Sequence, residues 1–383
     1  MIFSTSLALA AARGQILIAS DSEFTAANGV ANPNAAGTAS DPYYIQDWSI
    51  DMTGSSFPVC VLIQGTTKYF VVRRNSCVNA TVGIAFNQVA NGSVSRNNIS
   101  KLRGGGWGFP AIGVYAYMSD AATIADNTIF DVDGKLSSFS AFGIYLQGTS
   151  NTQVLRNGIS QLYGARGAAG PVGTAEAPAG GFGGDGGSAV GIRVESVNGG
   201  ENNVLIQGNN VNLLYGAFGG DGGSGAAGAN GGDGGFGGAA HAVFVRNMTN
   251  VRAVSNTASS LFASNGGSGG MGGANGGKGG KGGKGGHGEA IYFDTSTNLI
   301  NNNNNVLTTI AGGNGGRGGI GNGGTGGDGG NGGNGTGIHY FNSSTFSHTG
   351  NSITNFRGGT GGTGGTPGGL SGARGITTAI LVD

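Results

Sequence analysis

Charged residues recur at one position of a repeating pattern, each directly before an asparagine: Arg74, Arg96, Asp126 and Arg156. A fold that stacks these repeats would place the four side chains in one column. A calcium-dependent enzyme would need several oxygen ligands there, whereas one aspartate among arginines predicts a stack of ion pairs. No two carboxylates occupy matching positions, as glycoside hydrolysis would require. The sequence therefore predicts no catalytic residue and no enzyme.

The histidines do not form a metal-binding pattern. His241, His287, His339 and His348 share no common spacing, whereas structural and catalytic metal sites use characteristic ligand spacings. We expect neither a metal site nor a cofactor.

A column of mostly planar side chains is the strongest candidate for ligand binding. The same outward position of successive repeats holds Ala85, Tyr115, Tyr145, Arg193, Phe244, Tyr292 and His339. Exposed aromatic rings commonly mark contact surfaces, and stacked rings suit sugars. Tyr115, Tyr145, Phe244, Tyr292 and His339 are therefore candidate ligand-binding residues. The alternative, which the pattern favours slightly, is that glycine-rich arms or a neighbouring subunit cover them.

These positions belong to an internal repeat marked by asparagines. The repeated asparagines are Asn75, Asn97, Asn127, Asn157, Asn209, Asn256, Asn304 and Asn351. Thirteen residues before seven of them lies an apolar residue: Leu62, Ile84, Val114, Ile144, Val243, Ile291 and Ile338. Only the Asn209 repeat differs, with Ile192 seventeen residues upstream. A shared offset of this kind predicts a solenoid, in which each repeat forms one turn.

Each repeat divides into three short strands with alternating apolar residues. A second inward column is predicted from Ile99, Ile129, Ile159, Val211, Ala258, Val306 and Ile353. Strands this short become stable only when stacked turns bury a continuous apolar stripe. We therefore predict an all-β fold, a single right-handed parallel β-helix of about eight or nine turns. The asparagines are expected at a corner, where each side-chain amide can hydrogen-bond to the next turn about 4.8 Å away.

Long glycine-rich segments interrupt the later repeats. They are predicted as arms at 163–190, 215–241, 262–289, 310–336 and 357–374, all leaving one corner of the β-helix. Such a composition is typical of flexible linkers. However, every third residue is usually the non-glycine one, which matches the three-residue repeat of polyproline II. Four connections have nearly equal lengths, which favours ordered, polyglycine-II-like hairpins stacked one above another.

Composition narrows the possible partners. Nineteen basic residues balance nineteen acidic ones, and charged residues make up 10% of the 383. Nothing in this balance favours nucleic acid or an anionic membrane, and no segment is long and apolar enough to span a bilayer. Cys60 and Cys77 lack a metal-type spacing, and buried free thiols are favoured over a disulfide.

The two ends of the sequence have distinct patterns. Residues 1–13 are either signal-like or a strand or cap, and 14–383 form the β-helix domain. The last segment, Gly375–Asp383, resembles a first strand without its second and third. An unpaired strand edge favours association, so we expect head-to-tail contact in which a neighbour's Met1–Ser20 covers this edge.

The segment Gly14–Asp51, with Thr67–Arg74 and the following repeats, resembles right-handed parallel β-helix proteins with NosD-type repeats, within the pectate-lyase-like superfold. The resemblance extends over about Gly14–Ser160 and implies that Ile45, Trp48 and Ile50 build the first full turn. It implies a surface or secreted protein. The arms depart from that family and are loosely similar to polyglycine-II bundles of phage tail-fibre adhesins.

We therefore predict a non-enzymatic, extracellular or cell-surface structural protein that self-assembles head-to-tail into a filament or layer. Its partners would be itself and possible surface polysaccharides. A carbohydrate-binding surface or phage-type adhesin is the alternative, and a polysaccharide lyase is the least favoured.

Overall fold

The computed structural model describes residues 11–104, 108–134, 139–197, 199–301 and 304–383. Three parallel sheets run side by side along one axis, and successive strands in the chain belong to successive sheets. Each turn passes through sheet 1, sheet 2 and sheet 3 before the chain rises to the next turn. The fold is thus a single parallel β-helix with nine complete turns among the described residues.

Sheet 1 has ten strands: β2 (Ile16–Ile18), β5 (Val59–Gln64), β8 (Val82–Asn87), β11 (Ala111–Tyr117), β14 (Ala141–Gln147), β17 (Ala189–Glu195), β20 (Ala240–Arg246), β23 (Gly288–Asp294), β26 (Gly335–Phe341) and β29 (Thr377–Val382). Sheet 2 has nine: β3 (Tyr43–Gln46), β6 (Phe70–Arg73), β9 (Gly92–Ser95), β12 (Thr123–Ala125), β15 (Gln153–Leu155), β18 (Asn202–Gln207), β21 (Thr249–Val254), β24 (Thr297–Ile300) and β27 (Ser344–Ser347). Sheet 3 has ten: β1 (Ala11–Arg13), β4 (Trp48–Asp51), β7 (Ser76–Val78), β10 (Asn98–Arg103), β13 (Thr128–Asp133), β16 (Gly158–Tyr163), β19 (Asn210–Tyr215), β22 (Thr257–Phe262), β25 (Val306–Ala311) and β28 (Ser352–Arg357).

The opening segment builds the first turn. Two short 3₁₀ helices, Asp21–Glu23 and Ala26–Asn28, lie between β2 and β3. Ile45 and Ile50 are buried as predicted, and Trp48 packs partly buried against the same core. Most of the predicted segment 1–13 lies outside the described residues, but its last three residues form β1. The part of the chain that the structure describes contains no helix with the length and apolarity to cross a membrane.

The core is a stripe of apolar side chains inside the β-helix, and it corrects two predicted positions. Val61 pairs with Ile84 and is fully buried, whereas Leu62 faces outward. Likewise Leu307 is buried, whereas Val306 is 43% exposed. Each of these turns has one residue more than the thirteen-residue offset assumes. Because side chains alternate between faces, one extra residue exchanges the inward and outward positions.

The cysteines correct a further prediction. Cys60 in β5 and Cys77 in β7 form a disulfide, with their Cα atoms 6.0 Å apart. Both side chains point into the core of the same turn. The free thiols favoured by the sequence pattern were therefore the wrong alternative. Closing the turn brings the two residues together, which spacing alone does not reveal.

The glycine-rich segments join one another through backbone hydrogen bonds, and we call these segments together the fin. One series of bonds passes through the arms: Gly167 N–H donates to Phe218 O (2.9 Å), Gly219 to Asn265 (3.1 Å), Gly266 to Asn314 (3.0 Å) and Gly315 to Thr360 (2.8 Å). Another joins the two legs of one arm, as from Gly184 to Ala168 at 2.7 Å. The polyglycine-II geometry of the legs and the arm boundaries stay predictions.

Close approach explains why glycine dominates the fin. A Cβ atom on Gly220 would lie 1.9 Å from the carbonyl oxygen of Ala168. Any side chain there would force the legs apart. The non-glycine residues therefore occupy the third positions, where side chains can point away from the neighbouring legs.

Candidate functional site

The repeated asparagines form a hydrogen-bonded ladder at the corner between sheets 2 and 3. Its members are Asn75, Asn97, Asn127, Asn157, Asn209, Asn256, Asn305 and Asn351. The Nδ2 of each asparagine donates to the Oδ1 of the next, at 2.8 to 3.2 Å. Most of these side chains are buried, and a second bond from Nδ2 reaches a strand carbonyl, as from Asn127 to Val94 O at 3.0 Å. The ladder thus satisfies buried polar groups and is structural.

One predicted ladder member is wrong: Asn305 takes the place assigned to Asn304. The left-handed backbone occurs at the residue before the ladder position, with φ of 53° at Arg74 and 58° at Asp126. Asn304, with φ of 64°, occupies that preceding corner position. This is the same turn in which the core register slips by one residue.

The charged corner column forms local ion pairs. Arg156 contacts Asp126 at 2.8 Å, and Arg74 contacts Asp47 of the preceding turn at 2.7 Å. The hydrogen bond from Arg156 holds the pKa of Asp126 below its usual range. Among the described residues, no group of three or more His, Cys, Asp or Glu side chains could hold a metal ion.

The predicted aromatic column is in register on the outer face of sheet 1. Tyr115 pairs with Tyr145, Phe244 with Tyr292, and Tyr292 with His339. The corresponding ring centroids are 5.3, 5.2 and 4.9 Å apart. We call Tyr115, Tyr145, Arg193, Phe244, Tyr292 and His339 the aromatic strip.

Arg193 connects the two halves of the aromatic strip. Its guanidinium lies 5.3 Å from the centre of the Tyr145 ring and 4.9 Å from that of Phe244. These are distances at which a cation is attracted to an aromatic face. A 2.6 Å ion pair with Glu195 compensates the charge. The strip is therefore continuous and, at this point, nearly neutral.

Hydrogen bonds orient the tyrosines. The Tyr115 hydroxyl donates to Gln147 at 2.7 Å, and the Tyr145 hydroxyl donates to Glu195. Burial raises the pKa of Tyr115 to about 12 and also raises that of Tyr145. Both phenols therefore stay protonated at neutral pH.

Burial divides the predicted site residues into two groups. Tyr115, Tyr145 and Tyr292 are half-buried and keep accessible ring surface. Phe244 and His339 are only 7% and 6% exposed. The first group can contact a ligand directly, whereas the second offers little accessible surface. Among the described residues, other parts of the chain thus cover the aromatic strip only in part.

A cluster of histidine and carboxylate side chains surrounds His339, the last residue of the aromatic strip along the chain. His339 contacts Glu289 at 2.8 Å and Asp383 at 2.7 Å. Burial opposes the charged form of His339, but its carboxylate contacts outweigh burial and raise its pKa. Burial lowers the pKa of His241 to about 4, so that this ring, 3.4 Å from Glu289, is neutral at pH 7. His241, Glu289 and His339 are buried, whereas the Asp383 side chain is 48% exposed.

An apolar cavity of about 300 Å³ adjoins the other end of the strip. Tyr115 and Tyr117 form one wall, and Phe57 and Phe109 cover it from loops. The repeat analysis missed both phenylalanines because they lie outside the repeated strands. Their only sequence signal is a large apolar residue next to a proline, which is too common to identify a site.

Comparison with known families supports the β-helix resemblance. Residues 10–170 match the family model described as periplasmic copper-binding protein (NosD). This segment includes the whole of Gly14–Ser160, the range over which the sequence resembles NosD-type repeat proteins. A comparison with curated proteins finds no match.

Solved structures resemble the chain only distantly. The A-module of mannuronan C-5 epimerase AlgE6 from Azotobacter vinelandii is 10% identical, with 89% of this chain and 88% of that one covered and a TM-score of 0.32. The Streptococcus pneumoniae surface adhesin PfbA is 8% identical, with 80% of each chain covered and a TM-score of 0.33. A tailspike of E. coli bacteriophage HK620 is 14% identical, with 70% of this chain and 49% of that one covered and a TM-score of 0.28. Likenesses this weak do not bear on function.

The residues of the matched segment do not fit a copper site. Residues 10–170 contain no histidine. Their two cysteines are joined in a disulfide and are buried. Copper binding in proteins depends on imidazole and on soft thiolate or thioether sulfur. The remaining sulfur atoms of this segment belong to Met52, after β4, and Met118, after β11, which lie in different turns, so we derive no function from copper.

Proposed function

We propose that this chain is an exported, non-enzymatic protein that binds an extended neutral glycan along the aromatic strip. The observation that supports this most is the row of half-buried tyrosine rings in register on one sheet, next to an apolar cavity. Sugar rings pack their apolar faces on aromatic rings. The parallel sheet repeats along the axis about every 4.8 Å, which suits a linear polymer.

The charge arrangement favours a neutral ligand. Arg193 is paired with Glu195, and Arg246 is paired with Asp294 at 2.7 Å. Arg193 belongs to the strip, and the pair of Arg246 with Asp294 lies beside it on sheet 1. Their charges are compensated within the protein, so an anionic polymer would gain little there.

Export is supported by the disulfide between Cys60 and Cys77. Structural disulfides persist in oxidising compartments and are rare in the cytosol. Alkylation of the unfolded, unreduced native protein should label neither cysteine. Labelling of both in protein isolated from its natural source would contradict export.

The test of glycan binding combines a glycan array with titration calorimetry. Replacement of both Tyr115 and Tyr145 by alanine should weaken binding of a neutral oligosaccharide at least about tenfold, since each ring contact contributes about 1 kcal/mol. Tyr69→Ala is the control, because Tyr69 is 37% exposed and lies outside the strip. Unchanged binding by the double variant would reject the strip as the site.

A second candidate function is self-association through the fin. Several of its large apolar side chains are exposed: Val172, Phe182, Phe218, Phe236, Met271 and Leu370. Exposed apolar groups concentrated on one feature often mark an interface. Assembly into a filament or layer, with its head-to-tail contact, remains a prediction.

Electron microscopy and light scattering over a concentration series would test association. Phe182→Ser with Phe236→Ser should reduce it, whereas the buried ladder and core stay intact. Monodisperse single chains at high concentration would contradict self-assembly and leave the glycan proposal standing.

A further inference from the structure

A second row of rings lies on sheet 3, where the outgoing legs of the first three arms begin. Tyr163 pairs with Tyr215, and Tyr215 pairs with Phe262. The ring centroids are 5.3 and 5.4 Å apart, with planes inclined by 6° and 23°. Tyr163 is 38% exposed. We call these three residues the stacked platform.

A polar cavity of about 260 Å³ continues from the platform at the base of the fin. Phe262 lines it together with Arg357 and Arg374. Phe262, Ala311 and Arg357 occupy one column on successive strands, so Arg357 lies two turns, or about 10 Å, beyond the last ring. The cavity therefore adjoins one end of the platform.

The arginines of this cavity are not neutralised by the protein. Neither Arg357 nor Arg374 forms an ion pair within the described residues, and none of the lining residues is a carboxylate. This contrasts with sheet 1, where Arg193 in the aromatic strip and Arg246 beside it are both paired. Two uncompensated guanidinium groups beside one cavity favour an anion.

Hydrogen bonds to their oxygens also fix the orientation of two asparagine side-chain amides in the cavity wall. Asn265 Oδ1 accepts from Asn314 N–H at 2.8 Å. Asn314 Oδ1 accepts from Thr360 N–H at 2.9 Å and from the Thr360 hydroxyl at 3.0 Å. With both oxygens engaged, each amide has its NH₂ group left to donate. The wall thus adds donors to the two guanidinium groups.

We propose that the stacked platform and the cavity lined by Arg357 and Arg374 form a second site, which binds an anionic oligosaccharide. Sugar rings pack along Tyr163, Tyr215 and Phe262. A carboxylate of the ligand enters the cavity, where the guanidinium and amide groups donate to it. This site is on a different sheet from the aromatic strip and does not depend on the proposed neutral-glycan site.

Ring stacking beside cationic groups also occurs in single-strand nucleic acid binding. The acidic glycan is favoured here because the whole chain has a formal net charge of zero, without the excess of basic residues that steers proteins to nucleic acid. The disulfide between Cys60 and Cys77 also favours a compartment outside the cytosol. Nucleic acid is therefore included as a competing ligand in the test.

Titration calorimetry with the full chain would test the second site, using an oligogalacturonate and a neutral oligosaccharide of equal length. In a chain that also carries Tyr115→Ala and Tyr145→Ala, which remove the aromatic strip as a competing site, we expect the oligogalacturonate to bind more tightly than the neutral oligosaccharide. Its affinity should fall as salt is added. Arg357→Ala should weaken its binding at least about tenfold, consistent with loss of a charge-assisted hydrogen bond, and Tyr215→Ala should weaken it similarly. Arg252→Ala, which removes the same charge from sheet 2, should not.

Two further comparisons make the result decisive. Arg357→Lys should retain part of the affinity. An unchanged melting temperature of the Arg357 variants would exclude misfolding as the cause of weaker binding. Tyr145→Ala should leave oligogalacturonate binding unchanged, which separates this site from the aromatic strip. Equal effects of Arg357→Ala and Arg252→Ala, equal affinity for the neutral oligosaccharide in a chain that also carries Tyr115→Ala and Tyr145→Ala, or tighter binding of a single-stranded DNA oligomer would each overturn the proposal.

Discussion

The β-helix and the fin are both built from stacked layers of the chain, but different groups hold the layers together. Inside the β-helix, apolar side chains such as Ile144 and Ile159 fill the space between three sheets. In the fin, side chains are excluded between the legs, and backbone bonds such as Gly220 N–H to Gly184 O hold the layers together. The β-helix therefore depends on what its side chains bury, whereas the fin depends on their absence.

Polar residues differ between the two regions in a similar way. In the β-helix, buried asparagines bond mainly to each other along one corner. In the fin, aspartates cap the backbone of the next arm: Asp185 accepts from Phe236 N–H at 2.8 Å, and Asp233 accepts from Lys281 N–H at 2.7 Å. The scattered carboxylates of the arms thus have a structural contact that their spacing in the sequence does not suggest.

The largest expected difference is between truncations of apolar side chains in the two regions. Ile144→Ala should lower the free energy of unfolding by about 2–5 kcal/mol, because it leaves a cavity in a fully buried position. Phe182→Ala should change it by less than about 0.5 kcal/mol, because Phe182 is 75% exposed. Chemical denaturation measures both. A larger effect for Phe182 would mean that the fin buries this ring against another molecule.

The asparagine ladder should show the next largest effect. Asn127→Ala removes the acceptor for Asn97 Nδ2 and for the Asn97 backbone N–H, both at 3.0 Å. Unsatisfied buried donors should cost about 1–3 kcal/mol. The control is Asn98→Ala, since Asn98 is exposed and directly follows the ladder residue Asn97. Equal denaturation midpoints for the two variants would show that the ladder does not stabilise the fold.

A glycine substitution should separate the fin from the β-helix. Gly220→Ala places a methyl group against the Ala168 carbonyl oxygen, and local opening of the first two arms should become easier by about 1 kcal/mol. Hydrogen exchange should then accelerate in these arms and remain unchanged in sheet 2. Gly158→Ala is the control, because a Cβ there meets nothing within 4 Å. Faster exchange throughout the molecule would mean that the two regions unfold together.

The smallest expected effect is the pH dependence of the buried cluster. Because the pKa of His339 is raised in the folded protein, its carboxylate contacts stabilise the fold below its unfolded pKa of about 6.5. This contribution is lost as the pH rises through the folded value. His339→Gln should therefore lower the melting temperature more at pH 5.5 than at pH 8.5. His348→Gln is the control, since no carboxylate contacts His348 within the described residues, and a pH-independent effect of His339→Gln would contradict the argument.

Much of the architecture is encoded in short-range patterns. The asparagine spacing and the alternation of apolar residues are sufficient to predict the stacked turns, and the inward column from Ile84 to Ile338 is confirmed. These features are predictable because every turn must present the same face to the same core. The outward register of Tyr115 and Tyr145 follows from that periodicity.

Other features depend on how the turns close in three dimensions. Single extra residues decide whether Val61 or Leu62 faces the core, and local alternation fits either choice. The disulfide of Cys60 with Cys77 and the cavity beside Arg357 join residues from different strands or arms. Their contacts depend on where closed turns and stacked arms bring the chain. The repeat and the outward row of aromatic residues were thus determined by sequence alone, whereas the disulfide, the register slips and the cavities beside the two rows of rings were decided by tertiary packing.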